Sequence, residues 1–268
     1  MDEKKFQHTI LDYYAKSGRK SLPWRRTTDP YRILVSEVML QQTQVPRVLK
    51  KYKEFLTAFP DVRTLSQAKT SEVLKVWQGL GYNRRALALK RAAEAVVTEH
   101  DAKFPKSFEE LIALPGIGPA TAGGILAYAF GIPTVFIETN IRAVFLHHFF
   151  ANKKNVHDKD LFPLIEATLD RENPRDWYYA LMDYGVHLKQ TFPNPSRRSR
   201  HHAKQTRFKG SNREVRSKIL KFLLESPATE ADVITYIGET QHDVHKNIDA
   251  LVAEGFLARN RNGRLRVV

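Results

Sequence analysis

The chain has 268 residues, of which 42% are hydrophobic, and this content is enough for a sizeable core and excludes a disordered chain. Lysine and arginine outnumber aspartate and glutamate by 43 to 29, a formal net charge of +14 that indicates a polyanionic partner, most simply nucleic acid. The absence of cysteine excludes disulfides, thiolate metal sites and cysteine-ligated iron–sulfur clusters.

The first two thirds of the chain show the periodicity of helices, beginning with apolar residues from Phe6 to Tyr14. Predicted helices cover residues 31–40, 45–59, 82–100, 108–114, 121–130 and 176–189, and two more follow Thr139 and Lys159. No convincing strand alternation precedes residue 255. We therefore predict an all-α body over residues 1–192.

Residues 193–211 are rich in arginine, histidine and proline and contain no acidic residue, which predicts a basic linker or arm. Residues 212–268 then show three helical segments, over 213–224, 228–237 and 243–255, followed by two short strands flanking an Asn-Gly hairpin signal at Asn262 and Gly263. Three helices and a basic hairpin predict a small winged-helix-like module. We expect it to add non-specific DNA affinity or a docking surface, with basic side chains facing phosphate at Lys246, Arg259, Arg261, Arg264 and Arg266.

The segment 114–124 predicts a tight helix–turn–helix, because Gly116 and Gly118 stand one residue apart between a short apolar helix and a helix of small residues. One glycine would allow a positive φ, and the other would let a phosphate reach the backbone. Free backbone amides at a helix start bind anions. A Gly-x-Gly pair alone also occurs in ordinary turns, so the rest of the chain has to support this interpretation.

Residues 22 to about 190 resemble the helix-hairpin-helix base-excision DNA glycosylases, and the branch they resemble most is the adenine (MutY-type) DNA glycosylases. The resemblance is carried, in this order, by the runs 22–25, 36–45, 77–82 and 114–124 and by the residues from Asn140 onward. It implies a two-lobed helix-hairpin-helix fold with a cleft between the lobes. It further implies a monomer that binds double-stranded DNA, flips a mispaired or damaged base and hydrolyses its N-glycosidic bond, with adenine in a mismatch as the first choice of substrate.

Cleavage of an N-glycosidic bond needs a protonated leaving base and a stabilised sugar cation, and two carboxyl groups can supply both. Glu37 matches the family's general acid, and its apolar neighbours predict a raised pKa. Glu138 stands where the family has its second carboxylate, an aspartate, and Thr139 replaces the glycine that follows it. In the alternative interpretations Glu37 is a surface glutamate near a helix start, and Glu138 or Thr139 only caps the next helix.

Ala120 stands where family members with lyase activity carry the lysine that forms a Schiff base with the sugar. Alanine has no amine, so the resemblance implies a monofunctional enzyme that leaves an abasic site. A packed hairpin helix would also accept a small residue at this position.

The resemblance also implies a set of DNA contacts. Tyr82 matches the residue that fills the stack vacated by the flipped base, and Gln42 and Thr43 match positions that contact the opposing base. A core position is the alternative for Tyr82. The predicted DNA-binding residues are Arg25, Gln42, Thr43, Leu80, Tyr82, Gly116, Gly118, Ala120, Thr121, Asn140, Arg197, Arg198, Arg200, Lys204 and Arg207. The hairpin carbonyls of Leu114 and Gly116 are a candidate site for Na+ or K+, as in similar hairpins.

The chain departs from the family in two places. The four cysteines that usually hold an iron–sulfur cluster are absent, and the basic segment lies in their place. Residues 212–268 are also too short for the β-rich domain that reads 8-oxoguanine. Uracil, thymine opposite guanine or another damaged base therefore stay open as substrates, and so does a catalytically weak DNA-binding or damage-sensing protein. Without a long apolar segment or a signal-peptide pattern, we expect a cytoplasmic, nucleoid-associated protein without membrane contact.

Overall fold

The computed structural model describes residues 2–203, 207–238, 240 and 242–268. The helices are α1 (Glu3–Ser17), α2 (Pro30–Leu40), α3 (Val45–Ala58), α4 (Val62–Gln67), α5 (Thr70–Trp77), α6 (Arg84–Glu99), α7 (Phe108–Ala113), α8 (Pro119–Ile125), α9 (Thr139–Phe149), α10 (Asp158–Ala167), α11 (Pro174–Thr191), α12 (Asn212–Glu225), α13 (Glu230–Ile237) and α14 (Val244–Ala253). Two strands follow, β1 (Leu257–Arg259) and β2 (Leu265–Val267). Across the described ranges, no helix combines the length and the apolar character needed to cross a membrane.

The chain forms two compact units that are not contiguous in sequence. The first unit takes the residues up to 38 and those from 104 to 203, and the second takes residues 39–103 and those from 207 onward. The predicted division into 1–192, 193–211 and 212–268 follows the order of the chain, and as a domain assignment it stays a prediction.

The predicted helices are present, and the structure adds two short ones, α4 and α5, that the apolar periodicity did not reveal. Both begin with polar caps. The Asp61 carboxylate accepts a hydrogen bond from the Thr64 amide at 2.8 Å, and the Glu72 carboxylate accepts one from the Lys69 amide at 2.8 Å. Caps of this kind are a start signal for helices too short to show a full apolar stripe.

The core of the first unit forms where α11 packs against α1 and α9. The ring of Phe6 on α1 lies 5.2 Å from that of Phe145 on α9 and 6.1 Å from that of Trp177 on α11, measured between centroids. All three side chains are fully buried. Burial of such large apolar surfaces is the main stabilising contribution of these three helices.

A buried ion pair joins the turn Pro23–Arg25 to α11. Asp183 is 3% exposed, and its carboxylate accepts two parallel hydrogen bonds from the Arg25 guanidinium, at 2.6 and 2.8 Å. The backbone amide and the Nε of Arg19 donate to the same carboxylate, at 2.8 and 2.6 Å. Burial by itself raises the pKa of Asp183, but the hydrogen bonds and charge of Arg25, supported by Arg19, hold it below its ordinary value.

The second unit contains α3 to α6 together with the C-terminal elements. β1 and β2 pair antiparallel, with Leu257 opposite Val267 and Arg259 opposite Leu265. The three predicted C-terminal helices and the predicted hairpin are thus present, while the likeness to a winged helix stays a prediction. The Ser71 amide at the start of α5 donates to the Val268 carbonyl at 2.8 Å, so the C-terminal strand is tied to this unit.

The first part of the predicted linker is packed rather than free. Pro195–Arg198 forms a 3-10 turn in which Pro195 and Ser196 are buried, and Arg198 donates to the Leu146 carbonyl at 2.9 Å. Backbone hydrogen bonds at 3.0 Å join Val156 to Arg198 and Arg200 to Val156. The composition predicted a basic linker or arm, and in its first part the prolines fix a turn whose backbone pairs with the body of the first unit.

We expect the substitution Asp183→Asn to destabilise the protein by about 3–5 kcal/mol, because it leaves the Arg25 guanidinium buried without its counter-charge. Urea unfolding followed by circular dichroism measures this free energy. The matched control is Asp12→Asn, since Asp12 is 52% exposed and pairs only with His8 and Lys16 along α1; its effect is expected to stay within about 0.5 kcal/mol. Equal effects of the two substitutions would contradict the role given to Asp183.

Candidate active site

Glu37 lies on α2 in the first unit and faces a glycine of α8. A β-carbon added at Gly124 would lie 3.0 Å from Oε2 of Glu37 and 3.2 Å from the ring of Tyr128. The glycine therefore makes room for the carboxyl group of Glu37. A larger residue at position 124 would push on both side chains.

The pKa of Glu37 is raised to about 8, because burial penalises the charged form and the charge of Glu138 repels it, while Arg25 acts in the opposite direction. Among the described residues, none donates a hydrogen bond to this carboxyl group. Glu37 is therefore a protonated acid at neutral pH with its proton available to a bound group, as its apolar neighbours on α2 predict.

Two stacked tyrosine rings lie beside Glu37. The ring of Tyr128, which is buried, stacks on that of Tyr179 with centroids 4.3 Å apart and planes 5° from parallel. The Arg25 guanidinium lies 4.5 Å from the centre of the Tyr179 ring. Neither tyrosine has a motif of its own, so the sequence analysis missed both.

The contact of Arg25 with DNA stays a prediction, and the structure shows a partner for this side chain inside the protein. Its side chain is 4% exposed, and both ends of its guanidinium bind Asp183. Arg25 therefore acts on the site through its charge, which moderates the raised pKa of Glu37.

Glu138 caps the N-terminus of α9, as one of the alternative interpretations holds. Its Oε1 accepts hydrogen bonds from the amides of Asn140 at 2.5 Å and Ile141 at 2.8 Å. Burial raises the pKa of Glu138. The hydrogen bond from the Ile141 amide and the charge of Lys189 act in the opposite direction but are outweighed. Capping fixes the direction of the carboxyl group and does not exclude a role in catalysis.

The side chain of Asn140 makes hydrogen bonds inside the protein, and its role in DNA binding stays a prediction. Its Nδ2 donates to Oε2 of Glu138 at 3.2 Å, and its Oδ1 accepts a hydrogen bond from Lys189 at 2.8 Å. Asn140 thus links Lys189 to the Glu138 carboxyl group through two hydrogen bonds. The sequence analysis did not identify Lys189 as a site residue. A lysine near the end of a helix carries no sequence signal for this role.

The predicted helix–turn–helix is present between α7 and α8. Leu114 and Ile117 are buried and anchor the turn, whereas Gly116 and Gly118 are exposed. Of the two glycines, Gly116 has a positive φ of +74°, which glycine adopts easily, and Gly118 is extended. The absence of a side chain at Gly118 leaves its backbone accessible to a bound group. The Leu114 carbonyl accepts the Ile117 amide at 3.1 Å, and a monovalent cation at Leu114 and Gly116 stays a prediction.

Two further predicted contacts lie on α8. Ala120 is half-buried, and Thr121 is 5% exposed. Thr121 thus lies largely in the interior, and the roles of both residues in DNA binding stay predictions.

The predicted wedge and opposing-base residues lie in the second unit. Gln42 is exposed and Tyr82 is half-buried, and both have positive φ, of 54° and 49°. The backbone of these two residues is strained, which is a property found at functional positions. Leu80 is 3% exposed and lies in the core, and its role in DNA binding stays a prediction.

Arg85, which the sequence analysis missed, joins the loop after α2 to the loop before α6. Its guanidinium donates to the carbonyls of Met39 at 3.0 Å and Gln41 at 2.5 Å, and to the Thr43 hydroxyl at 3.1 Å. On the other side it donates to the carbonyls of Leu80 and Gly81, both at 3.2 Å. Burial lowers the pKa of Arg85 to about 10, so it stays charged at neutral pH.

The predicted basic contacts differ in exposure. Arg197, Arg200 and Arg207 are exposed, and Arg198 is half-buried against α9. Lys204 lies outside the described residues. Across the described ranges, no cluster of three or more histidine, aspartate or glutamate side chains could hold a metal ion, and the chain has no cysteine for an iron–sulfur cluster.

The chain is similar to proteins of known families. Residues 35–163 match the profile of the HhH-GPD superfamily base excision DNA repair protein. An adenine DNA glycosylase of Mycolicibacterium smegmatis is 30% identical, over 95% of this chain and 93% of the relative. The structure of a thermostable thymine-DNA glycosylase superposes with a TM-score of 0.62 at 29% identity, covering 69% of this chain and 86% of that one.

An adenine DNA glycosylase of Buchnera aphidicola subsp. Baizongia pistaciae is 38% identical over 182 residues, which are 68% of this chain and 52% of the relative. The chain spans about half the length of this and two further Buchnera relatives.

The raised pKa of Glu37 predicts a pH-dependent stability. Between the ordinary pKa of glutamate and about 8, the unfolded chain has released the Glu37 proton and the folded chain retains it, so the folded state loses stability as the pH rises. We expect Glu37→Gln to raise Tm by an amount that increases from about pH 5 to about pH 8.5. Thermal unfolding at several pH values checks this, with Glu172→Gln on the exposed surface as the control. A pH-independent difference would contradict the burial penalty on Glu37.

Proposed function

Because the chain belongs to the HhH-GPD superfamily of base excision DNA repair proteins, we propose that it is a monofunctional DNA glycosylase that flips a mispaired or damaged base from double-stranded DNA and hydrolyses its N-glycosidic bond. The observation that carries this proposal is the Glu37 carboxyl group, which the protein keeps protonated up to a pH of about 8. A protein that only binds DNA has no use for a carboxyl group held in its neutral form.

In the proposed reaction Glu37 donates its proton to the departing base. The bond between the sugar C1′ and the base nitrogen breaks, and its electron pair leaves with the base. Water then attacks the cationic C1′, and the Glu37 carboxylate accepts a proton from this water. The products are the free base and an abasic site, and Glu37 is protonated again.

Glu138 is proposed to stabilise the positive charge that develops on the sugar. The two amide hydrogen bonds from Asn140 and Ile141 favour its charged form and fix its direction. Ala120 has no amine for a Schiff base, so we propose that the protein has no lyase activity.

Adenine in a mismatch is the proposed substrate, because the relatives from Buchnera and Mycolicibacterium are named adenine DNA glycosylases. The similarity to a thymine-DNA glycosylase makes thymine opposite guanine, or uracil, the second choice. We further propose that the protein acts as a monomer in the cytoplasm, in association with the nucleoid.

Single-turnover base release on duplexes containing A:8-oxoG, A:G, U:G, T:G or hypoxanthine tests the proposal, with strand cleavage compared before and after alkali. We expect release of one base, adenine first, and cleavage only after alkali. Glu37→Gln is expected to slow release by about 10²–10⁴-fold while DNA binding persists, and Glu172→Gln is expected to leave the rate unchanged. Release of no base with binding intact would instead identify a DNA-binding protein, and cleavage without alkali would contradict the role of Ala120.

Substitutions at Glu138 separate its charge from its capping. Gln keeps an oxygen that can accept the amides of Asn140 and Ile141, so Glu138→Gln is expected to preserve Tm within a few degrees and to slow release about a hundredfold. Glu138→Asp keeps the charge and is expected to retain more activity than the amide variant. A full rate in Glu138→Gln would show that this residue only caps α9.

A further inference from the structure

Three residues of α11, at positions that share one face of a helix, contact Asn140 at the start of α9. Nδ2 of Asn140 lies 3.9 Å from the sulfur of Met182, and its Oδ1 accepts a hydrogen bond from Lys189 at 2.8 Å. Gly185 allows this close approach, because a β-carbon there would lie 2.5 Å from the carbonyl oxygen of Asn140. The side chain of Asn140 is therefore held by α11 as well as by its own helix.

A chain of two hydrogen bonds runs from Lys189 through Asn140 to Glu138. Asn140 accepts from the lysine with Oδ1 and donates with Nδ2 to Oε2 of Glu138 at 3.2 Å. If the nitrogen and oxygen of this amide changed places, two donors would meet at Lys189 and two acceptors at Glu138, so the two charged groups fix its direction. Oε1 of Glu138 meanwhile accepts two backbone amides. Both carboxyl oxygens are thus held in place.

Lys189 is a cation whose charge is available to Glu138. The charged and titratable side chains that act on Glu138 or respond to it are Glu37 on α2, Tyr128 after α8, Arg142 on α9 and Lys189 on α11. Arg142 binds both oxygens of Asp158, at 2.8 and 2.7 Å, and shares its charge with that carboxylate. Among the described residues, no carboxylate forms an ion pair with Lys189.

The interaction of Lys189 with Glu138 favours the charged form of each group. Burial lowers the pKa of Lys189, and the charge of Glu138 acts in the opposite direction. At Glu138 burial raises the pKa, and the Ile141 amide and the charge of Lys189 oppose this rise. Each group therefore keeps its charge more readily in the presence of the other.

We propose that Lys189 is a positioning residue that acts through Asn140, fixes the direction of the Glu138 carboxyl group and favours the charged form that a sugar cation requires. A fixed negative charge stabilises a developing positive charge without further rearrangement. Lys189 itself has no need to touch DNA. The inference rests on the proposed glycosylase function for the use of this charge, whereas the link between the two residues is a property of the free protein.

Carboxyl 13C NMR of protein labelled at glutamate measures the titration of Glu138 without DNA, with the signal assigned by its loss in Glu138→Gln. Lys189→Met keeps an unbranched side chain and removes the charge, so the midpoint of the Glu138 titration is expected to move to higher pH. Lys189→Arg keeps the charge and is expected to restore part of the difference. A purely structural role of Lys189 would lower Tm and leave this midpoint in place, and an unmoved midpoint would overturn the proposal.

The matched control is Lys16→Met. Lys16 lies on α1, its side chain is 78% exposed, and it pairs with Asp12 at 4.0 Å. The same charge is removed by the same replacement, so the net charge of the protein changes equally. The midpoint of Glu138 is expected to stay where it is in this variant. An equal movement in both variants would contradict a specific link to Lys189.

A reciprocal measurement decides the matter if Lys189→Met fails to fold. Side-chain 15N NMR of lysine follows the titration of Lys189 in the parent protein and in Glu138→Gln. Loss of the negative charge is expected to lower the pKa of Lys189 further, because burial then acts with less opposition. The same Lys189 titration in both proteins would overturn the proposal.

Binding to two abasic analogues connects this link to the proposed reaction. A pyrrolidine analogue carries a positive charge in the sugar ring, whereas a tetrahydrofuran analogue of similar shape is neutral. Fluorescence anisotropy measures the ratio of the two Kd values. The parent protein is expected to prefer the cation, and Lys189→Met is expected to reduce this preference about tenfold, whereas Lys16→Met leaves it unchanged.

The two experiments separate this inference from the proposed function. If the parent protein prefers the cation and Lys189→Met retains the full preference, the positioning role of Lys189 is overturned. If the parent protein has no preference while the NMR midpoints move as expected, the link between Lys189 and Glu138 stands and the proposed glycosylase function is contradicted.

Discussion

Burial raises the pKa of Glu37 within the first unit, and the charge of Glu138 acts in the same direction. Glu37 lies in surroundings that favour its neutral form. Glu138 instead receives backbone amides and the nearby charge of Lys189. Burial raises the pKa of both groups, and at Glu138 the amide of Ile141 and the charge of Lys189 oppose this rise. The two carboxyl groups thus have different surroundings, and such a difference is how one site can be arranged to supply both an acid and a counter-charge.

Arg25 acts against the effect of burial on Glu37. Its charge opposes the raised pKa of Glu37, but its hydrogen bonds go to Asp183. If Arg25 paired directly with Glu37, the carboxyl group would be ionised and could not donate a proton. Asp183 therefore binds the guanidinium whose charge moderates the pKa of Glu37.

Local patterns in the sequence were sufficient for many features of the fold and the site. The apolar periodicity predicted most helices, the Asn-Gly signal predicted the C-terminal hairpin, and the run around Glu37 predicted a buried acid. The roles of Arg25 and Arg85 could not be predicted in this way. Arg25 meets Asp183 across 158 positions of sequence, and Arg85 meets the loop after α2 across more than forty, so only the folded chain brings these partners together.

The ion pair between Arg25 and Asp183 also has a consequence for the order of synthesis. A ribosome makes Arg25 early and Asp183 only when α11 is translated, at about 5–20 residues per second. Until α11 emerges, the turn that carries Arg25 has no anchor and the surroundings of Glu37 are incomplete. A nascent chain, or one truncated before α11, therefore contains the hairpin and both glutamates but lacks the charge arrangement that distinguishes them.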